Sequence, residues 1–121
     1  MSFHFPGNAT TLTMLAAASC ANTAAATGTG VDLRDYEGLC LVIQNHGTST
    51  GTLDGKLQDS ADNSSFADVS GLAFTQSTTT ADVKTLFFRA KSVRRYVRYL
   101  GTVGTGPQLV GVTLSAQKKS M

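Results

Sequence analysis

The run Gly47-Thr48-Ser49-Thr50-Gly51 has the glycine-serine-glycine spacing of a nucleophile elbow, and His46 stands directly before it. That chemistry needs the serine on a strained turn from a strand into a helix. Here the patterns on both sides predict strands and none predicts a helix, so the run reads as a hairpin loop. Asp59, Asp62 and Asp68, with Asn63, gather oxygen ligands as calcium loops do. Counted from Asp59, however, acids fall at the first and fourth positions and glycine is missing from the sixth, which reads as an Asx-rich turn. His4 and His46 are far apart, whereas a metal centre needs three or four convergent ligands. No glycine-rich phosphate-binding or dinucleotide-binding motif is present. The chain therefore reads as a non-enzyme, with no catalytic residue, no metal and no cofactor.

A second stretch is basic. Arg89, Lys91, Arg94, Arg95 and Arg98 are interleaved with Phe87, Phe88, Tyr96 and Tyr99, a mixture able to bind nucleic acid through phosphate contacts and base stacking. The rest of the chain opposes that reading. Residues 1–82 hold all eight acids and two bases, Arg34 and Lys56, for a net charge of −6. Residues 83–121 hold eight bases and no acid, for +8. A total of only +2 is a poor nucleic-acid footprint, so nucleic acid is not expected as a partner. Two accounts of the segregation stay open. Acidic and basic strands are neighbours in one fold, or the acidic face of one subunit meets the basic face of the next. On the second account Arg94, Arg95 and Arg98 are subunit-contact residues, because arginine pairs with carboxylates through two donors and is enriched at interfaces.

The elements that must carry these residues are strands. Gly, Ser and Thr make up 40 of the 121 residues, and Thr suits a pleated surface while Gly and Ser suit turns. Residues 39–43 are continuously apolar, predicting a central strand buried on both faces. Residues 52–58 alternate, with Leu53, Gly55 and Leu57 on one face. Short strands are predicted at 66–69 and 72–76, split by Ser70-Gly71. Strands at 83–90, 93–103 and 108–117 follow, the last with Val110, Val112, Leu114 and Ala116 inward. This spacing predicts one all-β domain, an antiparallel β-sandwich of jelly-roll-like form.

Residues 1–30 are low in charge and contain one predicted strand, 11–15; they read as an extended N-terminal arm before a sandwich at 31–121. Leu12, Met14 and Leu15 are the arm's apolar side chains and its candidate subunit contacts. Cys20 and Cys40 are too few for a disulfide framework, and Cys40 lies in an apolar run, as a buried free thiol does. The apolar stretch at 12–21 lacks the positive start of a signal peptide. No run approaches the ~18 apolar residues of a membrane span, so no membrane partner is expected.

Residues 51–69, from Gly51-Thr52-Leu53-Asp54-Gly55 to Phe66-Ala67-Asp68-Val69, are followed by Arg94-Arg95-Tyr96-Val97-Arg98-Tyr99 and by Val110-Gly111-Val112-Thr113-Leu114. Together they resemble small structural proteins of tailed bacteriophages, of the capsid decoration or cement type. The resemblance covers a little over half the chain and leaves residues 1–35 unmatched. It implies a sandwich on the capsid surface of the virion, assembled in the host cytoplasm. Its partners would be the major capsid protein and further copies of itself, as a homodimer or homotrimer. The turn at 59–66 and the strand at 95–98 are also similar to discoidin-type, galactose-binding sandwiches, which implies a glycan-binding alternative on a tail or fibre with Tyr96, Tyr99 or Phe66 lining a groove. A neck or tail-completion subunit is the third reading.

Overall fold

The computed structural model describes residues 9–119. Eight strands and one 3-10 turn follow in order: β1 Ala9–Cys20, β2 Val31–Asp32, β3 Tyr36–His46, β4 Thr52–Ser60, β5 Ala67–Ala73, β6 Asp82–Arg89, the turn Ala90–Ser92, β7 Tyr96–Gly104 and β8 Gln108–Lys118. They build two four-stranded sheets, ordered β1-β8-β3-β6 and β2-β7-β4-β5. All the strand pairings are antiparallel.

Alternation decides which side chains meet between the sheets. Cys40, Val42 and Gln44 of β3, Val110, Val112, Leu114 and Ala116 of β8, Met14 of β1 and Phe88 of β6 face inward from the first sheet. Leu53 and Leu57 of β4 and Val97 and Tyr99 of β7 meet them from the second. Tyr99 is the largest of the fully buried side chains. Gly55 and Gly101 pair across β4 and β7 beneath its ring. A Cβ at Gly55 would stand 2.7 Å from that ring and one at Gly101 3.0 Å, so the two glycines make the seat an aromatic side chain needs here. From this seat the Tyr99 hydroxyl donates to Gln44 Oε1 in the opposite sheet, and Gln44 Nε2 donates to Ser77 Oγ at 3.4 Å. Burial pushes the Tyr99 phenol far above its ordinary range, which keeps its proton in that bond.

The structure departs from the sequence reading in three places. Residues 9–20 are not an arm. They form β1, which pairs with β8 from Ala9 opposite Gln117 to Cys20 opposite Gln108, with register shifts after Thr13 and Leu15. Residues 21–30 then cross to the second sheet. Gly28 N donates to the Tyr99 carbonyl at 2.8 Å, Gly101 N donates to the Ala26 carbonyl at 3.0 Å, and Ala26 is fully buried. The many small side chains that suggest a loose arm are what permit this close passage: a Cβ on Gly28 would stand 2.2 Å from the Met14 carbonyl oxygen. Residues 1–8 of the expected arm, with His4, lie outside the described residues. Second, Ser70-Gly71 does not split two strands. Gly71, at φ +81°, sits inside β5, which shifts register against β4. Third, β3 is central but buried on one face. Leu39, Leu41 and Ile43 on its other face are half-buried.

Leu114 lies at the centre of the first sheet, facing Leu12 across β1 and Val42 across β3, and is fully buried. Leu114→Ala should cost about 2–5 kcal/mol, read as a lower urea midpoint at unchanged m-value.

Candidate interaction surfaces

The basic segment is built around β7 and the 3-10 turn. Arg94 turns back on Asp59 at the end of β4. Its backbone N–H donates to Asp59 Oδ2 at 3.0 Å, its Nε and Nη2 to Oδ1 at 3.1 and 2.9 Å, and its Nη2 also to the Asp59 carbonyl at 2.8 Å. Arg95 forms a two-pronged pair with Asp32 of β2, Nε to Oδ1 at 3.0 Å and Nη2 to Oδ2 at 2.8 Å. That guanidinium beside Asp32 brings its carboxyl down to about 2. Arg98 donates to Gln58 Oε1 at 2.9 Å, and Gln58 donates to Asp68. Acidic and basic segments therefore do meet within one chain, and the three arginines are engaged there.

Three aromatic side chains of this region are engaged as well, while Phe87 is half-exposed. The Arg95 guanidinium lies 4.9 Å from the Tyr96 ring centroid, that of Arg98 4.2 Å from the Phe66 centroid, and Tyr99 is in the core. Of the rings expected to line a glycan groove, Tyr99 is buried, and Tyr96 and Phe66 each carry a guanidinium on one face. The arginines leave a cleft beside them, about 580 Å³ in volume, between the residues that follow β2 and the 3-10 turn.

A second surface is the outward face of the first sheet. Three rows cross it in register. Ser115, Leu41 and Phe87 form one, Thr113, Ile43 and Thr85 the next, and Gly111, Asn45 and Val83 the third. Thr11 and Thr13 extend the first two rows onto β1, and Leu109 lies beyond the third on β8. None of these twelve residues is charged, and Val83, Phe87 and Leu109 are 57%, 50% and 53% exposed. The sequence reading missed this face because it took β3 as buried on both sides. The available signal was the lack of charge at alternate positions from 11 to 13, 41 to 45, 83 to 87 and 109 to 115, bounded by Glu37 and Arg89.

The other candidate sites separate. Met14 faces the chain's own core, and Leu12 and Leu15 are partly buried against it. Ser49 lies in a loop between β3 and β4, where its hydroxyl accepts from Gly51 N at 3.3 Å. His46 points inward instead of toward Ser49, and both its ring nitrogens, like the Gln108 amide atoms, are buried without a hydrogen-bond partner. Asp62 accepts from Ser60 Oγ and from the backbone N–H groups of Ser64 and Ser65, bonds that bring its carboxyl down to about 2. Asp59 and Asp68 turn to Arg94 and Lys56. No three His, Cys, Asp or Glu side chains converge as metal ligands among the described residues. No helix among them is long and apolar enough to cross a membrane. Cys20 and Cys40 are free and buried, and burial pushes the Cys40 thiol up to about 11.

No protein-family model matches the sequence, and no curated protein matches it by sequence. Solved structures match in shape. The SPBc2 prophage-derived protein YomS superposes with a TM-score of 0.62 at 14% identity, over 96% of this chain and 97% of YomS. The PBSX exported protein XepA superposes with a TM-score of 0.66 at 16% identity, over 93% of this chain and 38% of XepA. The fold is one that phage-derived proteins use. At these identities the likeness is one of architecture.

Two predictions follow from burial. Asp59 is nearly buried and takes several donors, while the Arg95–Asp32 pair is half-exposed. Asp59→Asn should cost about 1–3 kcal/mol because it leaves desolvated donors unmatched, and Arg95→Ala under about 1 kcal/mol; equal losses in urea titrations would contradict this. Burial holds the His46 imidazole below the ordinary histidine range, against the pull of Asp82 and with a smaller push from Lys84. The stability carried by neutral His46 is present above the ordinary histidine value and lost as pH falls below it. Melting temperature should therefore drop between about pH 7.5 and 5.5, a window above the carboxylate titrations, and His46→Gln should flatten that drop.

Proposed function

We propose that this chain is a non-enzymatic structural protein of a tailed-phage virion, a decoration or cement protein that binds the outer shell of the major capsid protein. The observation that carries this reading is the set of three uncharged rows on the outward face of the first sheet, with Val83, Phe87 and Leu109 exposed there. Three rows without charge, whose apolar side chains are Leu41, Ile43, Val83 and Phe87, with Leu109 beyond them, among Ser, Thr, Asn and Gly, desolvate at less cost against another protein than a charged surface would. The strand order β1-β8-β3-β6 and β2-β7-β4-β5 reads as the two Greek keys of a jelly roll. Shape likeness to prophage proteins and the resemblance over residues 51–119 support the same assignment. On this reading many copies bridge neighbouring shell subunits, and their binding energy adds to shell stability by mass action. The subunit contacts move from Arg94, Arg95 and Arg98, engaged within the chain, to the sheet face. Self-association as a dimer or trimer would use copies placed side by side on the shell.

Copy number tests the proposal. In purified particles the ratio to the major capsid protein should be one or a simple fraction of one. A handful of copies would move the protein to a neck or tail, and absence would end the virion reading. Phe87→Asp, at an exposed position, should leave the fold intact and weaken shell attachment by at least about tenfold, since it places a charge in a desolvated contact.

A further inference from the structure

The cleft at one end of the sandwich has a composition that the shell-binding reading does not use. Its floor is apolar: Leu33 is 5% exposed, and Tyr36, Ala90 and Val93 pack against the core. Its rim is basic. Arg94 and Arg95 are neutralised by Asp59 and Asp32. Arg34, Arg89, Lys91 and Lys119 remain, and none of these four is in an ion pair among the described residues. Glu37 is the one carboxylate on the lining, and it already interacts within the chain. Four cations come from three separate places in the sequence: the residues after β2, the end of β6 with its 3-10 turn, and the residue after β8. Backbone bonding fixes two of these places against each other, with Lys119 N donating to the Asp35 carbonyl at 2.9 Å.

We propose that this cleft docks an acidic peptide segment of a partner protein, with carboxylates on the Arg34, Arg89, Lys91 and Lys119 rim and an apolar side chain on the Leu33–Val93 floor. Cations outside any ion pair, Arg34 among them with only a through-space pull on Asp32, call for an anionic partner. The floor chooses among anions. Phosphate-bearing polymers use a long cationic track with a row of aromatic faces for stacking, whereas this rim is a short cluster of cations around a mainly aliphatic floor, with Phe87 the one exposed ring beside it. A floor of Leu33, Ala90 and Val93 rewards an aliphatic or aromatic side chain between two carboxylates. The cleft also shows that its arginines accept this chemistry, since Arg94 and Arg95 on the same wall each grip a carboxylate with two nitrogens. This site borders the three uncharged rows at Arg89, two residues beyond Phe87 on β6, but its test does not depend on virion attachment.

The test is an NMR titration of the full chain with a capped hexapeptide, Glu-Glu-Leu-Glu-Glu-Leu. The same peptide with Lys for Glu, and a six-nucleotide thymidine oligomer, serve as controls at equal ionic strength. Amide shifts should concentrate at Arg34, Arg89–Val93 and Lys119, with the Glu peptide binding at least about tenfold more tightly than either control. Raising salt from about 50 to 300 mM should weaken it severalfold. Arg89→Glu with Lys91→Glu, both at exposed positions, should abolish the shifts while the amides of β3 and β8 keep theirs. Should that double variant misfold, the single change Lys119→Glu carries the same expectation at reduced size. Tighter binding of the oligonucleotide, shifts that fall elsewhere, or binding unchanged in the variants would each overturn the proposal.

Discussion

One side chain, Tyr99, holds the two sheets in fixed relation. Its ring needs a floor without side chains, which Gly55 and Gly101 supply, and its hydroxyl needs an acceptor inside an otherwise apolar core, which Gln44 supplies from the opposite sheet. An apolar core alone tolerates sliding of one sheet over the other. A buried hydroxyl and a buried amide cannot part without each losing its partner, so register between the layers is set to within a hydrogen bond. Gly28 passes the Tyr99 carbonyl on the same strand, which ties the crossing segment from β1 to this point. The edge of the second sheet and the exit of the chain from the first are thus tied to one residue and its neighbours.

Charge is arranged around that core with the same economy. Acids concentrated before residue 83 and bases after it meet mainly where β7 lies between β2 and β4. Asp32 and Asp59 each flank β7 and each receive one arginine. The long-range pairing of oppositely charged segments helps to specify which strands lie side by side, although exposed pairs of this kind add little net stability. What charge remains is left over at one end, around the 3-10 turn, while the outward face of the first sheet carries none in its three rows.

Much of this was legible in the sequence, and the part that was not has a physical reason. Strands β4, β6, β7 and β8 follow from alternation, because residues facing a sandwich core are mostly apolar and their neighbours need not be, and β3 follows from its continuous apolar run. The inward set Val110, Val112, Leu114 and Ala116 is buried as the period of two demands. β1 was misread as an arm because its apolar positions are interrupted by threonines and by two register shifts, which break the period on which strand recognition depends. The arginines stand out in the sequence as candidate subunit contacts, but sequence does not show that Asp59 and Asp32 come to meet Arg94 and Arg95 from 35 and 63 residues away. The cleft was invisible for the same reason, since its lining is assembled from three distant segments.

The two thiols give a last consequence. Cys20 lies opposite Gln108 at one end of β8, while Leu41, next to Cys40, lies opposite Ser115. Seven or eight residues of strand, roughly 25 Å, separate them along the sheet, several times the span a disulfide can bridge. Both are buried, and burial disfavours the thiolate that any exchange requires. The folded chain therefore has the same covalent connectivity in a reducing cell and in an oxidising exterior. On the proposed reading, a particle built with it leaves one environment for the other without its fold being rewritten by the change.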